Sequence, residues 1–248
     1  MGRTARRVAW RAHGARAGAR ARVRQPARRP RGRSVTVPQP HGVACPNCGA
    51  PVRFLWAQAV QTTCAYCRSV LVRRDLDLAK LGTQADFPAT GSPIQIGTEG
   101  QWHDQRFVVV GRIAYGWARG RWNEWHCVLA DGTSAWLSDA QLEYAMTIAA
   151  PADFDVPAVM QVRVGESYVW NDTPYEVASI TEARYLGTEG ELPFTTWEKS
   201  ACLFIDLLNA QHGLATIDGS EAPPVLFLGE YVNFDDLRFQ NLREFDGW

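Results

Sequence analysis

The stretch IQIGTEGQWHDQRFVVVGRI, residues 94–113, has a second version in VRVGESYVWNDTPYEVASIT, residues 162–181. At a constant offset of 68, glycines, tryptophans and β-branched positions coincide, as in Gly97 with Gly165 and Trp102 with Trp170. Self-similarity at a fixed spacing indicates a repeated structural unit. Apolar runs broken by Gly, Pro and Asp-Gly are typical of strands and turns. The sequence therefore predicts one β-module that is used twice.

The repeat continues downstream at other offsets. WNEWHCVLAD (122–131) resembles WEKSACLFID (197–206) at an offset of 75, which matches Cys127 with Cys202. After a further insertion, SAWLSD (134–139) is matched with PVLFLGE (224–230). No helical pattern long enough for a βαβ crossover occurs, so each module is predicted to be antiparallel. We expect a mainly β fold, in which a small zinc ribbon precedes two tandem antiparallel β-barrel or sandwich-like modules at 93–150 and 158–245.

Two Cys-x-x-Cys pairs lie upstream of the repeat. Fifteen residues separate the pair Cys45 and Cys48 from the pair Cys64 and Cys67. Two such pairs can present four thiolates as a tetrahedron, which structural zinc prefers. We predict that these four residues bind Zn²⁺ within a ribbon at 41–73; iron is the alternative. Four Cys ligands leave no open coordination position, so the metal is predicted to be structural rather than catalytic.

The N-terminal residues differ sharply from the rest in charge. Residues 1–33 carry twelve Arg and no Asp or Glu, which leaves 14 basic and 26 acidic residues in 34–248, a net charge of −12. This composition buries too little apolar surface to fold, so 1–40 is predicted to be a disordered Arg-rich tail. Three interpretations are open: a misplaced start codon, an arm for nucleic acid or a membrane surface, and a transit peptide. Residues 74–92 are predicted to be a linker with one helical turn.

The stretch GRIAYGWARGRWNEWHCVLADGTSAWLS, residues 111–138, combines Gly-x-hydrophobic, Trp-x-Glu-Trp and an aromatic-Leu closing strand. This pattern resembles the bacterial family known as domain of unknown function 4178. The resemblance covers about residues 43–245 and implies two tandem copies behind a Cys₄ zinc ribbon. It implies no catalytic residues. By association with neighbouring membrane proteins, it implies a role near envelope stress and a membrane-associated stress component as a partner.

The loop YGWARGRW, residues 115–122, combines aromatic and arginine side chains. Such side chains suit stacking and are frequent at the centre of protein interfaces. Trp117, Arg119, Arg121 and Trp122 are therefore predicted to form a partner-binding loop.

Other polar or thiol residues are interpreted as structural. Glu124 and His126 share a strand face opposite Trp125 and Cys127, and we expect the polar face to be solvated. Cys202, like Cys127, has apolar neighbours and no evident base, so both thiols are predicted to pack in the core.

The motifs favour a non-enzymatic interaction or adaptor protein of the bacterial cytoplasm, with another protein as partner. A nucleic-acid-binding ribbon protein is the alternative, because Arg53, Arg68, Arg73 and Arg74 lie in or beside the ribbon. An enzyme of unknown reaction is a further alternative. The sequence has no apolar run long enough for a transmembrane segment. Paired Cys-x-x-Cys without an apolar export segment favours the cytoplasm.

Overall fold

The structure is a computed structural model that describes residues 43–74, 77–84, 91–195 and 200–244. The tail predicted at 1–40 lies outside these residues. Strands dominate the described part of the chain, so the mainly β class is confirmed. No helix in that part is long and apolar enough to cross a bilayer.

The ribbon is built from short strands, which are β1 (Val43–Ala44), β2 (Pro51–Val52), β3 (Gln61–Thr63), β4 (Ser69–Arg74) and β5 (Asp77–Thr83). β1 pairs with β2, and β4 lies between β3 and β5. The helical turn predicted within 74–92 is wrong for the described part, because Asp77–Thr83 pairs along β4 as a strand. Leu78 packs against the small ribbon core, which holds this strand to the ribbon.

Two runs of five strands follow the ribbon. The first half contains β6 (Glu99–Trp102), β7 (Gln105–Trp117), β8 (Gly120–Leu129), β9 (Ser134–Ala140) and β10 (Glu143–Ala149). The second half contains β11 (Ser167–Trp170), β12 (Thr173–Leu192), β13 (Ala201–Leu208), β14 (Gly213–Asp218) and β15 (Val225–Val232). Short 3₁₀ helices, Val159–Gln161 and Phe234–Leu237, follow β10 and β15.

Strands of both halves close into one eight-stranded ring. Its order is β7-β8-β9-β10-β15-β14-β13-β12, and β12 pairs back onto β7. β6 and β11 are short hairpin partners of β7 and β12. The modules predicted from the repeat are therefore not separate barrels or sandwiches. Closure into a ring removes the edges that two separate four-stranded sheets would expose.

The ring has an approximate twofold relationship between its halves. At the seam between β7 and β12, Gly116 lies opposite Arg184, its equivalent at the offset of 68. At the seam between β10 and β15, Ile148 lies opposite Leu228, 80 residues further on. A twofold axis through both seams would place residues opposite their own equivalents in this way.

The offset of 68 describes the start of both halves. Gly97 and Gly165 both have a φ of 87°, in the region that favours glycine. The Gly97 N–H donates to the carbonyl of Val109, and the Gly165 N–H donates to the carbonyl of Val177, 68 residues further on in each case. The sequence comparison therefore identified structurally equivalent residues here.

The offset of 75 is wrong. Val109 lies opposite Cys127, whereas its equivalent Val177 lies opposite Leu207, so the offset beyond the first long strand is 80. Cys202 instead lies opposite Ala183. The same offset of 80 makes β9 equivalent to β14. The predicted match of 134–139 with 224–230 is therefore wrong as well. The difference between 80 and 68 means that the second half has twelve extra residues, which lengthen the end of β12 and the connection to β13.

Besides the small ribbon core, three apolar clusters lie in the described part of the ring and its hairpins. The first-half core contains Trp125, the second-half core contains Ile205, and a third cluster inside the ring contains Phe204. Phe154, in the segment after β10, packs against the second-half core. Phe234, in the segment after β15, packs against the first-half core. Each half-core is thus covered by the chain segment that follows the other half.

The lengthened strand of the second half connects the ring to the ribbon. β12 has 20 residues, whereas β7 has 13. The last residues of β12, Glu191 and Leu192, pair with Thr62 and Gln61 of β3. The ribbon strands therefore continue the hydrogen-bonded sheet of the ring.

Candidate functional site

Two matching turns place the four cysteines. In each turn the carbonyl of the first Cys accepts the N–H of the residue four positions on, which is Gly49 for Cys45 and Arg68 for Cys64. Gly49 and Arg68 have φ values of 75° and 55°. This left-handed conformation lets the chain turn back tightly. The turns bring Cys48 and Cys67 back toward the first Cys of the other pair.

The four sulfurs form a compact cluster. They lie within 4.8 Å of one another, and all four cysteines are free of disulfides. The Sγ atoms of Cys45 and Cys67 are 3.7 Å apart, and those of Cys48 and Cys64 are 3.8 Å apart. A tetrahedron with metal–sulfur bonds of about 2.3 Å has sulfur–sulfur edges of about 3.8 Å. The residues predicted as ligands therefore form a cluster compatible with a metal ion.

Glu191 is a buried polar link between the ring and the ribbon. Its carboxylate is 3% exposed and accepts the backbone N–H of Leu55 at 2.5 Å and of Trp56 at 2.8 Å. Burial raises the pKa of Glu191 to about 7, although both amide hydrogen bonds lower it. The carboxylate thus satisfies two amides of the ribbon loop, of which the Trp56 amide is buried.

His126 supports the same junction from inside the ring. Burial lowers the pKa of His126 to about 4, so the imidazole is neutral at pH 7. Its Nδ1 donates to the carbonyl of Glu191 at 2.8 Å, and its Nε2 accepts from the Ser134 hydroxyl at 2.9 Å. The Trp56 ring meets the imidazole edge-on at 4.9 Å. His126 therefore connects β8, β12 and the ribbon.

The solvated face predicted for Glu124 and His126 is wrong. Trp125 and Cys127 lie in the first-half core, but the opposite face of β8 lines the interior of the ring. His126 is fully buried. Alternation correctly groups residues by face, but in a closed ring both faces of a strand are covered.

A cavity of about 340 Å³ lies at the β7–β8 hairpin end of the ring. All four residues of the predicted partner-binding loop line it, namely Trp117, Arg119, Arg121 and Trp122. The structure thus places this loop at the rim of a concave site.

The two tryptophans of the loop have different environments. Trp122 stacks on Tyr115 at 5.1 Å and meets the Phe204 ring edge-on at 5.5 Å. The Arg119 guanidinium lies 4.7 Å from the centre of the Trp117 ring. Trp122 is therefore held in the cavity wall, while the Trp117–Arg119 pair forms part of the rim.

Glu124 is one of two carboxylates in the cavity wall, away from the rim. The Ser138 hydroxyl lies within hydrogen-bonding distance of both its oxygens, at 3.0 and 2.8 Å, and the Trp122 indole N–H donates to Oε1 at 2.8 Å. Burial raises the pKa of Glu124 to about 8, and the negative charges of Asp206 and Asp218 add to this rise. Glu124 is therefore largely protonated at pH 7 when the cavity holds no cation.

Asp206, on β13, is the second carboxylate. Thr216 donates to its Oδ1 at 2.9 Å and Ser179 to its Oδ2 at 3.1 Å. Burial raises the pKa of Asp206 as well. The ion pairs found within the described residues all lie elsewhere. Glu124 and Asp206 are thus held by neutral donors and have no basic partner in the described part of the chain.

Arg112 and His103, which lie near the predicted sites, are both held by neighbouring side chains. Arg112, 3% exposed, donates to the Asn123 side chain at 2.8 Å and lies 5.2 Å from the Trp125 ring centre. His103 is in the turn before β7 with a φ of 50°, and its Nε2 is 2.6 Å from a Glu230 oxygen.

The remaining thiols lie in apolar surroundings. Cys127 is fully buried, and burial raises its pKa well above the usual range. Burial also raises the pKa of Cys202, to about 11. Both thiols are therefore protonated and weakly nucleophilic at neutral pH.

Sequence reasoning missed Asp206 and Glu191. Asp206 stands within the apolar run LFIDLL, and a single acid inside such a strand is the available signal. Glu191 lies in the twelve-residue insertion, which has no counterpart in the first half. Its role depends on the ribbon, so the repeat carried no signal for it.

The fold and the site define a mainly β protein in which a four-cysteine ribbon is hydrogen-bonded to a closed antiparallel ring with a cavity. Residues 95–234 match the family described as Domain of unknown function (DUF4178), and the chain belongs to that family. The resemblance implied two copies, whereas this single match spans both halves of the ring and leaves the ribbon outside. No curated protein and no solved structure matches the chain.

Proposed function

We propose that this protein is a non-enzymatic binding protein that engages another protein through the rim of the ring cavity. The position of Trp117, Arg119, Arg121 and Trp122 around one cavity carries this proposal. Tryptophan and arginine dominate binding energy where they surround a pocket. Burial raises the pKa of Cys127 and Cys202, so neither thiol is proposed as a nucleophile.

The metal of the ribbon is proposed to be a structural Zn²⁺ ion. The sulfur–sulfur distances of 3.7 and 3.8 Å support a tetrahedral ion with four thiolates. Such a shell has no open position for water, so its role is to hold the two turns of the ribbon together. Native mass spectrometry of the intact protein would test this proposal by showing one zinc per chain. Iron in place of zinc, or an apoprotein that retains a folded ribbon, would contradict it.

The binding proposal is tested by comparing partner capture between two variants. The full chain is immobilised, exposed to native extract, and compared with Trp117→Ala/Arg119→Ala at the rim. The control is Arg163→Ala/Val169→Ala, which alters exposed residues of the second half away from the cavity. We expect one or more proteins to be retained by the wild type and the control but lost by the rim variant. Equal capture by all three proteins would contradict the proposal.

Nucleic-acid binding by the ribbon is the second candidate. Arg53, Arg68 and Arg74 are exposed on the ribbon and favour it, whereas Arg73 donates to the Ala57 carbonyl at 2.6 Å and stabilises the ribbon loop. The net charge of −12 in 34–248 opposes phosphate binding. Fluorescence anisotropy with single-stranded and duplex oligonucleotides at several salt concentrations would test it. Salt-sensitive binding that is lost in an Arg53→Ala/Arg74→Ala variant would favour this candidate.

We also propose that the two halves descend from a duplicated unit, which the equivalent glycine turns and the two seams support. A cytoplasmic location and an association with envelope stress stay predictions.

A further inference from the structure

We propose that the ring cavity binds an alkylammonium group, with the Asp206 and Glu124 carboxylates as its anionic partners. This inference rests on the proposed binding role of the cavity and specifies the chemistry that it recognises. The group would come either from a lysine side chain of a partner protein or from a small free amine.

The size of the cavity suits such a group. Its volume of about 340 Å³ lies near the lower end for small-ligand sites, which commonly span about 300–1,000 Å³. A four-carbon chain with a terminal ammonium occupies less than this volume. The Trp117–Trp122 loop and the two carboxylates line the same cavity, so an extended aliphatic chain held beside the loop would place its ammonium near the acids.

Both carboxylates line the cavity, and Asp206 has free capacity to bind an ammonium. Asp206 accepts hydroxyl hydrogen bonds from Thr216 and Ser179, one at each oxygen. A carboxylate offers about four acceptor positions, so each oxygen can accept a further donor. An ammonium has three donors and no acceptor, which complements two such groups. Its charge would also compensate two acids that have no basic partner among the described residues.

The walls favour a cation with an aliphatic chain. Phe204, Trp122, Tyr144 and Tyr231 line the cavity beside the acids. The faces of aromatic rings attract cations and contact methylene groups favourably. The rim also carries charges, which are Arg119, Arg121 and Glu143. The guanidinium of Arg119 already occupies the face of the Trp117 ring. The binding site for the ammonium is therefore proposed at the two carboxylates in the interior.

Proton release should accompany binding. Burial raises the pKa of both cavity acids, to about 8 for Glu124, where the charge of Asp218 adds to the rise; burial raises the pKa of Asp218 as well. An ammonium stabilises the ionised carboxylates, so its binding lowers both pKa values and expels protons. Affinity should therefore rise between about pH 6 and pH 9, below the usual lysine pKa of about 10.4.

Isothermal titration calorimetry of the full chain tests the ammonium site with n-butylamine and n-butanol. We expect n-butylamine to bind at least about tenfold more tightly than the neutral alcohol, as one lost charged hydrogen bond implies. Titrations in buffers of different ionisation enthalpy should show proton release at pH 7. Asp206→Asn should weaken n-butylamine binding about tenfold. The matched control Asp172→Asn changes an exposed turn residue with a φ of 58° and should bind like the wild type.

The source of the ammonium is distinguished by Nα-acetyl-lysine methylamide and its Nε-acetylated form. Tighter binding of the lysine amide than of n-butylamine identifies a partner lysine. The reverse order identifies a free amine. In both cases, Nε-acetylation of the lysine amide should remove its binding. Circular dichroism and thermal unfolding confirm that Asp206→Asn is folded, and Glu124→Gln provides an independent variant.

Equal binding of amine and alcohol, no measurable amine binding, or full affinity in both acid variants would overturn the inference. Rim-dependent capture of a protein without amine binding would leave the proposed function intact and reject only the ammonium site. Amine binding without rim-dependent capture would support the ammonium site and reject the adaptor role.

Discussion

The Glu191 carboxylate of β12 accepts the backbone N–H of Trp56 at 2.8 Å, which joins the ring to the ribbon by a buried hydrogen bond. Leu55 donates a second amide to the same carboxylate. The ribbon loop thus obtains hydrogen-bond partners from a residue 135 positions away in sequence.

Replacing Glu191 by Ala should loosen the ribbon loop on the ring, while β3 stays paired with β12. Two amides would lose their partner, and the unsatisfied buried amide of Trp56 costs about 1–3 kcal/mol. Hydrogen exchange measured by mass spectrometry should show faster exchange over 55–63. Glu182→Ala, at an exposed position on the same strand, is the control and should leave exchange there unchanged.

Replacing Gly111 by Ala should destabilise the junction of β7 and β12. A Cβ atom at this position would overlap the carbonyl oxygen of Glu191, which is backbone and cannot rotate away. We expect the free energy of unfolding in urea to fall by about 3 kcal/mol, at the upper end for overpacking. Gly91→Ala, where a Cβ meets no atom within 4 Å, should have little effect. Equal stability of both variants would contradict this close approach.

Metal removal should unfold the ribbon more than the ring. The ribbon core is small, and structural zinc can contribute on the order of 10 kcal/mol to the folding of such segments. A chelator at neutral pH should accelerate hydrogen exchange at the amides of Gly49 and Arg68, while those of β8 and β9 stay protected. If the two turns kept their protection without metal, the structural role of the ion would be wrong.

Stability should fall as the pH rises from 6.5 to 8. The pKa values of Glu191 and Glu124 are raised to about 7 and about 8, so the folded state holds protons that the unfolded state has already released. More protons bound in the folded state means that the free energy of unfolding decreases with pH. His126 acts oppositely, but only between about pH 4 and its unfolded value near 6.5.

The contribution of Glu124 to this loss is about 2 kcal/mol over that interval. Urea unfolding at pH 6.5 and pH 8 with saturating metal would measure it. Glu124→Gln should flatten the dependence, because the amide does not titrate. A variant with the same pH dependence as the wild type would show that another group is responsible.

Features that depend only on neighbouring residues, such as turns, were predictable from the sequence. Gly97 and Gly165 each need a positive φ, and the offset of 68 identified them. The Cys-x-x-Cys pairs form the expected cluster because their turns are local. The offset of 75 failed because the shared Cys127 and Cys202 suggested equivalence where a twelve-residue insertion intervenes.

Ring closure and the cavity acids depend on contacts distant in sequence. The seam that joins Gly116 to Arg184 has no signature within either strand. Alternation places Glu124 and His126 on one face, but only closure shows that this face is interior. The cavity could therefore not be derived from the loop, although the loop residues at its rim were identified.

The covering of each half-core by Phe154 and Phe234 has a consequence for synthesis on the ribosome. The first half emerges early, yet Phe234, which closes its core, lies beyond β15. Its apolar surface must stay uncovered until the whole second half of the ring has been translated. Because the closing contacts are so distant in sequence, folding should be slow and largely post-translational. We expect a truncated chain ending before β15 to bind chaperones or aggregate rather than to form half of the ring.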